Sequence, residues 1–247
     1  MESDNKQNNK SKNKIIVVAL LVVIVLAIIG LIITISLKSK GKAKQISSIK
    51  EEIYDIESNR NLQNEVIALN ATYSDAIGWI KIPATSIDLP IFKGETNDDY
   101  FAKDREQDEK KYGELFMDYR CNLNNMDEMS HFIIYGHNPE DGTYFSDLLK
   151  YEEEDFYKNN KIIYMSTING NYKWEIFSVY KTTPDFFYID VNFESLSEYT
   201  TFLNSLKSRS MYDTGVEVDS TDTILTLSTC EYSVEDGRFV VQARLIK

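Results

Sequence analysis

The chain holds two Cys and two His in 247 residues, so nucleophilic or imidazole chemistry rests on very few positions. Cys230 ends an alternating run with Leu225 and Leu227 on one face and Ile224, Thr226, Ser228 and Cys230 on the other. After seven intervening residues, Glu231 to Gly237, a second run begins. Phe239, Val241, Ala243 and Leu245 form its core face, while Arg238, Val240, Gln242 and Arg244 form a mixed one. If the two runs pair as an antiparallel hairpin, Cys230 and Arg238 face each other at its mouth, with Cβ atoms about 4.5–5.5 Å apart. A guanidinium there favours a thiolate and can donate to an oxyanion. The structural alternative is an inert buried thiol and a hairpin-end charge beside Glu231, Glu235 and Asp236.

His137 closes the segment His131-Phe132-Ile133-Ile134-Tyr135-Gly136-His137-Asn138-Pro139, a strand that ends in a Gly, then the His, then an Asn-Pro turn. A titratable group at a strand end beside a turn suits a site. His131, at the start of the same strand, reads as structural or exposed. Zinc is disfavoured by spacing: there is no C-x-x-C pair, and six residues of unbroken strand would hold the two His roughly 20 Å apart. No metal and no organic cofactor is indicated. A Cys121–Cys230 disulfide stays chemically open outside the cytoplasm and would consume the candidate nucleophile.

These residues need elements to place them. Residues 15–37 carry no charge, and only Gly30, Thr34 and Ser36 among them are not strongly apolar. A helix of that length crosses a hydrocarbon core of about 30 Å. Ser36-Leu37-Lys38-Ser39-Lys40 is a poor signal-peptidase site, so the segment reads as an uncleaved anchor behind a cytoplasmic tail, residues 1–14. Four Lys lie before the span and four just after it, so charge is nearly silent on orientation. The short tail favours the N-terminus inside, with the rest outside the cytoplasm. Residues 38–77 form a linker and helical stem: Ile46, Ile49, Ile53 and Ile56, then Leu62, Val66, Leu69 and Tyr73, recur at helical spacing on either side of Asn59-Arg60-Asn61. Both helices are expected to pack on the main domain.

From Gly78 the period changes to two. Strands are expected over 79–82, 87–92, 114–117, 131–135, 161–165, 172–181, 223–229 and 239–246, with helices near 144–149, 153–157 and 197–208. The fold is mostly β with peripheral helices, and eight short strands over residues 78–247 suggest a closed barrel or a sandwich. The net charge of −12 gives no basic footprint, which argues against nucleic acid as a partner.

Thr226-Leu227-Ser228-Thr229-Cys230 resembles the T-L-x-T-C signature of sortases, the membrane-anchored cysteine transpeptidases of Gram-positive bacteria. Phe116-Met117-Asp118-Tyr119-Arg120, Ile133-Ile134-Tyr135-Gly136-His137-Asn138 and a long helix-bearing insert between Thr183 and Ser220 resemble class B. The resemblance runs from about Ile46 to the C-terminus. It implies an eight-stranded barrel with an N-terminal helical pair, and it implies roles. Cys230 would attack the Thr carbonyl of a C-terminal sorting signal on a secreted protein. His137 would move the protons, and Arg238 would hold substrate and stabilise the oxyanion, with the backbone N–H after Cys230 as a second donor. An amine of peptidoglycan or its lipid-linked precursor would resolve the acyl-enzyme at the outer face of the cell membrane. Ser228 and Thr229 beside the nucleophile, Tyr188 and Ile189 in the insert, and Asn97 and Phe101 opposite would contact substrate. Class B relatives favour N-P-x-T-N-like signals or proline-containing variants ending in T-G. The sequence departs from the pattern at Cys121, where relatives tend to carry Asn, and in an acidic Cys-to-Arg turn of short length. A membrane-anchored cysteine peptidase that only hydrolyses and a non-catalytic wall-facing β domain are the rival readings.

Overall fold

The computed structural model describes Lys38, residues 62–123, Met126 and residues 129–246. The expected cytoplasmic tail, the anchor over 15–37 and the first stem helix lie outside the described residues. Among the described residues, no helix is long and apolar enough to cross a membrane.

Helix α1, Leu62–Thr72, is the second of the two expected stem helices. Glu65 in its first turn suits the positive end of the helix. Leu62 and Val66, four residues apart, are buried, and Leu69 and Tyr73 continue that face onto Ala76, Phe92, Tyr100 and Phe116. Eight strands follow: β1 Ala76–Lys81, β2 Asp88–Phe92, β3 Leu115–Met117, β4 His131–Tyr135, β5 Ile162–Thr167, β6 Gly170–Thr182, β7 Ile224–Cys230 and β8 Arg238–Leu245. They close into a barrel in the order β1-β2-β3-β4-β7-β8-β6-β5, with β5 pairing back onto β1. Closure removes every sheet edge. Of the two alternatives left by the strand count, the barrel is the one formed. Pairing is antiparallel except at β2–β3 and β4–β7.

Leu225 and Leu227 of β7, and Phe239, Val241 and Ala243 of β8, point into the barrel with Ile80, Phe132 and Trp174. The opposite faces of the same strands are also covered. Ile224 and Val240 pack with Phe177, Tyr180 and Tyr188 under helix α3, Leu196–Lys207, which joins β6 to β7 and buries Tyr199, Leu203 and Leu206. The Ser195 hydroxyl accepts from the Glu198 N–H, and the Glu198 carboxylate accepts from the Glu194 N–H (2.7 Å), capping α3 at its start. Cover on both sides explains why β7 is buried along nearly its whole length although its outer face carries the polar Thr226 and Ser228 after Ile224. Between β4 and β5 stand a 3-10 helix, Ser146–Glu152, and a short helix α2, Glu154–Asn159.

Candidate active site

The hairpin geometry is as the alternation demands. Cys230 and Arg238 are direct register partners across β7–β8, at the end of the pair that opens into the turn. The parallel β4–β7 pairing carries Tyr135 to Ser228, so the chain leaving β4 arrives beside the end of the Cys strand. Three hydrogen bonds then clamp it there. The Gly136 N–H donates to the Ser228 carbonyl (3.2 Å), the Thr229 hydroxyl donates to the Gly136 carbonyl (2.7 Å), and the Asn138 amide donates to the Cys230 carbonyl (2.9 Å). Gly136 is required by close approach, since a Cβ there would stand 2.7 Å from the Phe145 ring. The His137 ring lies against Phe101 (4.7 Å between centroids) and Tyr112 (5.5 Å). Its Nε2 sits 2.5 Å from the Phe101 carbonyl. A carbonyl only accepts, so Nε2 carries the proton and Nδ1 is the basic nitrogen.

Cys230, His137 and Arg238 line one cleft of about 220 Å³, together with Ser228, Thr229, Asn97 and Phe101. Cys230 is partly exposed and is a free thiol, as is the buried Cys121, so the disulfide alternative is not formed. Burial pushes the Cys121 thiol up to about 12. One guanidinium nitrogen of Arg238 donates to the carbonyls of Asp236 (3.1 Å) and Gly237 (2.9 Å). That anchors one edge of the fork and leaves the others for a ligand. The acid following the nucleophile is not directed at the cleft. The Glu231 carboxylate is buried and accepts from the Ser233 N–H (3.1 Å) and hydroxyl (2.6 Å), with Lys181 at 3.4 Å.

Two expectations need correction. The backbone N–H after Cys230 is engaged with the Gly237 carbonyl (2.9 Å), because the tight turn folds back on itself. It is therefore not a free oxyanion donor here. Tyr188 and Ile189 do not line the cleft. Tyr188 is buried behind it, its hydroxyl 2.8 Å from the Ser228 hydroxyl, and Ile189 packs between the two core clusters. Of the two readings open for His131, structural or exposed, the structural one is formed: the ring is fully buried, with Nδ1 2.6 Å from the Asp190 carbonyl and Nε2 2.7 Å from the Thr226 hydroxyl. Two features of the site are absent from the expected residues: Asn138, whose side chain ties the His137 loop to Cys230, and the Asp118–Arg120 pair. The signal for Asn138 is its place beside the His at a strand end. For the pair it is two opposite charges directly after an apolar strand.

The chain matches the Sortase domain family over residues 80–246. It is 40% identical to sortase B of Staphylococcus aureus (strain NCTC 8325 / PS 47) over 182 residues, covering 73% of this chain and 74% of that protein. Identity to sortase B of Listeria monocytogenes serovar 1/2a (strain ATCC BAA-679 / EGD-e) is 37% over 190 residues, or 76% of each. A solved Staphylococcus aureus sortase B-substrate complex aligns with a TM-score of 0.71 at 36% identity, over 79% of this chain and 91% of that one.

Proposed function

Starting from a chain that belongs to the sortase family, a class of cell-wall cysteine transpeptidases, we propose that Cys230, His137 and Arg238 carry the transfer. The substrate is the C-terminal sorting signal of a secreted protein, cut after its Thr. The Cys230 thiolate attacks the Thr carbonyl carbon, and the oxyanion is stabilised by the free edge of Arg238. His137 Nδ1 has taken the Cys230 thiol proton as the thiolate formed; as the tetrahedral species collapses, the Thr–X amide bond breaks and that proton leaves Nδ1 with the departing amine. A thioester remains on Cys230. An amine of peptidoglycan or its lipid-linked precursor then attacks it and gives its proton to Nδ1. An amide forms, the C–S bond breaks and the thiolate returns. General acid–base help of this kind contributes roughly 10²–10⁴-fold. The catalytic domain works on the outer side of the cell membrane, held there by the apolar segment 15–37, with the N-terminus inside.

One observation carries the reading: Cys230 and Arg238 are register partners, and both share one cleft with His137. The Staphylococcus aureus relative solved as a substrate complex lends weight to a peptide ligand for this cleft. The test uses the full chain in detergent micelles with fluorophore–quencher pentapeptides of both signal types, with and without a small peptidoglycan-like amine. Mass spectrometry should find an amine-ligated product cut after Thr, lost in Cys230→Ala. Turnover retained by Cys230→Ala would refute the assignment, and cleavage indifferent to the amine would favour a hydrolase.

A further inference from the structure

Asp118 follows directly on β3 and its side chain is fully enclosed, yet it is ionised and crowded with donors. Burial alone would raise its pKa. The Arg120 side chain, the Arg120 N–H and the Asn97 amide more than offset this and hold the carboxyl below its ordinary range. Oδ1 accepts from the Arg120 N–H (3.0 Å) and Nε (2.8 Å). Oδ2 accepts from a terminal nitrogen of Arg120 (2.9 Å), from the Asn97 amide (3.2 Å) and from the Tyr135 hydroxyl (3.0 Å). Five donors exceed the roughly four lone-pair sites of a carboxylate. The group is saturated and has no capacity left for a ligand, so its work is to hold other residues.

What it holds is the cleft. Asn97 and Tyr135 both line it. Asn97 is fixed a second time, since its carbonyl oxygen accepts from the Tyr119 N–H (3.0 Å). On the far side the same Arg120 nitrogen that bonds Oδ2 also donates to the Ile189 carbonyl (3.0 Å) in the β6–α3 insert. Ile189 is the middle of three consecutive insert residues fastened to three different parts of the barrel. Tyr188 reaches Ser228 on β7 (2.8 Å), and the Asp190 carbonyl meets His131 on β4 (2.6 Å). One ion pair, with its carboxylate buried and its guanidinium partly exposed, therefore joins the β2–β3 loop, the end of β4 and the insert that backs Ser228. None of its atoms lines the space beside Cys230.

Resting on the transpeptidase reading above, we propose that Asp118 and Arg120 are the positioning pair that sets peptide selectivity, by fixing Asn97 and Tyr135 relative to the insert. They do not take part in the thiol chemistry. The sorting peptide is then recognised by a wall whose spacing depends on a carboxylate that it never touches. A planar fork is needed for this, because it bonds both carboxylate oxygens and Ile189 at once; an ammonium is a point charge and cannot.

The full chain is assayed as wild type, Asp118→Asn, Arg120→Lys and Arg120→Met, well below each variant's melting temperature. The substrates are the peptide that wild type cleaves best and its Ala-scanned forms at the positions before Thr. Losing a charge-assisted contact predicts a KM about tenfold higher or more, with kcat and the rate of Cys230 alkylation by iodoacetamide within about twofold of wild type. At least one peptide position should lose its discrimination, and Arg120→Lys should fall between wild type and Arg120→Met. If Asp118→Asn does not fold, the two Arg120 variants decide, because Asp118 there keeps Asn97 and Tyr135. Folded variants with wild-type KM and selectivity overturn the proposal, as does a loss confined to kcat and alkylation. If wild type turns over no peptide, or Cys230→Ala is as active as wild type, the transpeptidase reading falls and takes this one with it.

Discussion

His131 makes acid sensitivity calculable. Its Nδ1 faces the Asp190 carbonyl, which only accepts, so that nitrogen bears the proton. Nε2 must then accept from the Thr226 hydroxyl, and Thr226 in turn accepts from the Gln242 amide (3.0 Å). The ring is neutral and fitted on both sides. Burial pulls its pKa from 6.5 down to about 4, although the Asp190 carbonyl opposes the shift. Well above pH 6.5 neither the folded nor the unfolded chain protonates this group, and it adds no pH dependence. Between the two values the unfolded chain takes up a proton that the native one refuses, so stability falls as the pH falls. The loss is roughly 1 kcal/mol at pH 5.5 and about 3 kcal/mol at pH 4. Urea unfolding of wild type and His131→Gln at pH 7, 5.5 and 4 isolates it, because carboxylates elsewhere act alike in both. Wild type should lose about 3 kcal/mol more than His131→Gln between pH 7 and 4. Equal losses would show that the folded ring takes up its proton as readily as the unfolded chain, and the burial argument would be wrong.

Two further outcomes follow from the site. A Cβ at Gly237 would stand 2.4 Å from the Glu231 carbonyl, so Gly237→Ala must open the turn that anchors Arg238. It should cost about 1–3 kcal/mol in urea melts and lower kcat/KM for the cleaved peptide even where the variant is fully folded. Iodoacetamide should add once to the native chain, at Cys230, and reach Cys121 only in urea. Intact mass followed by peptide mapping distinguishes the two.

Much of this was legible because alternation is a local signal. Leu225 and Leu227 against Ser228 and Cys230, and Phe239 and Val241 against Arg238, are enough to fix the hairpin register, and the structure keeps it. The element bounds differ by a few residues at most places where strands meet loops, with β1 starting back at Ala76 and β6 running on to Thr182. What alternation cannot show is cover on the second face. The polar side of β7 looked open and is roofed by α3, which is why His131 and Tyr188 are interior. The five donors on Asp118 come from positions 97, 120 and 135, and no local pattern announces their meeting. The oxyanion expectation at Glu231 failed for a similar reason: a short turn satisfies its own amides.

The parallel pairing of β4 and β7 has a consequence for folding order. Gly136 and Thr229, bonded to each other beside the site, are 93 residues apart in the chain. Closing a loop of that size costs about 4 kcal/mol of chain entropy before any contact rewards it. Neither half of the molecule can bring the imidazole to the thiol by local structure alone. A half-folded chain therefore holds Cys230 apart from His137, the partner proposed for it. With the roles proposed for those two residues, competence to cut and join peptides requires barrel closure.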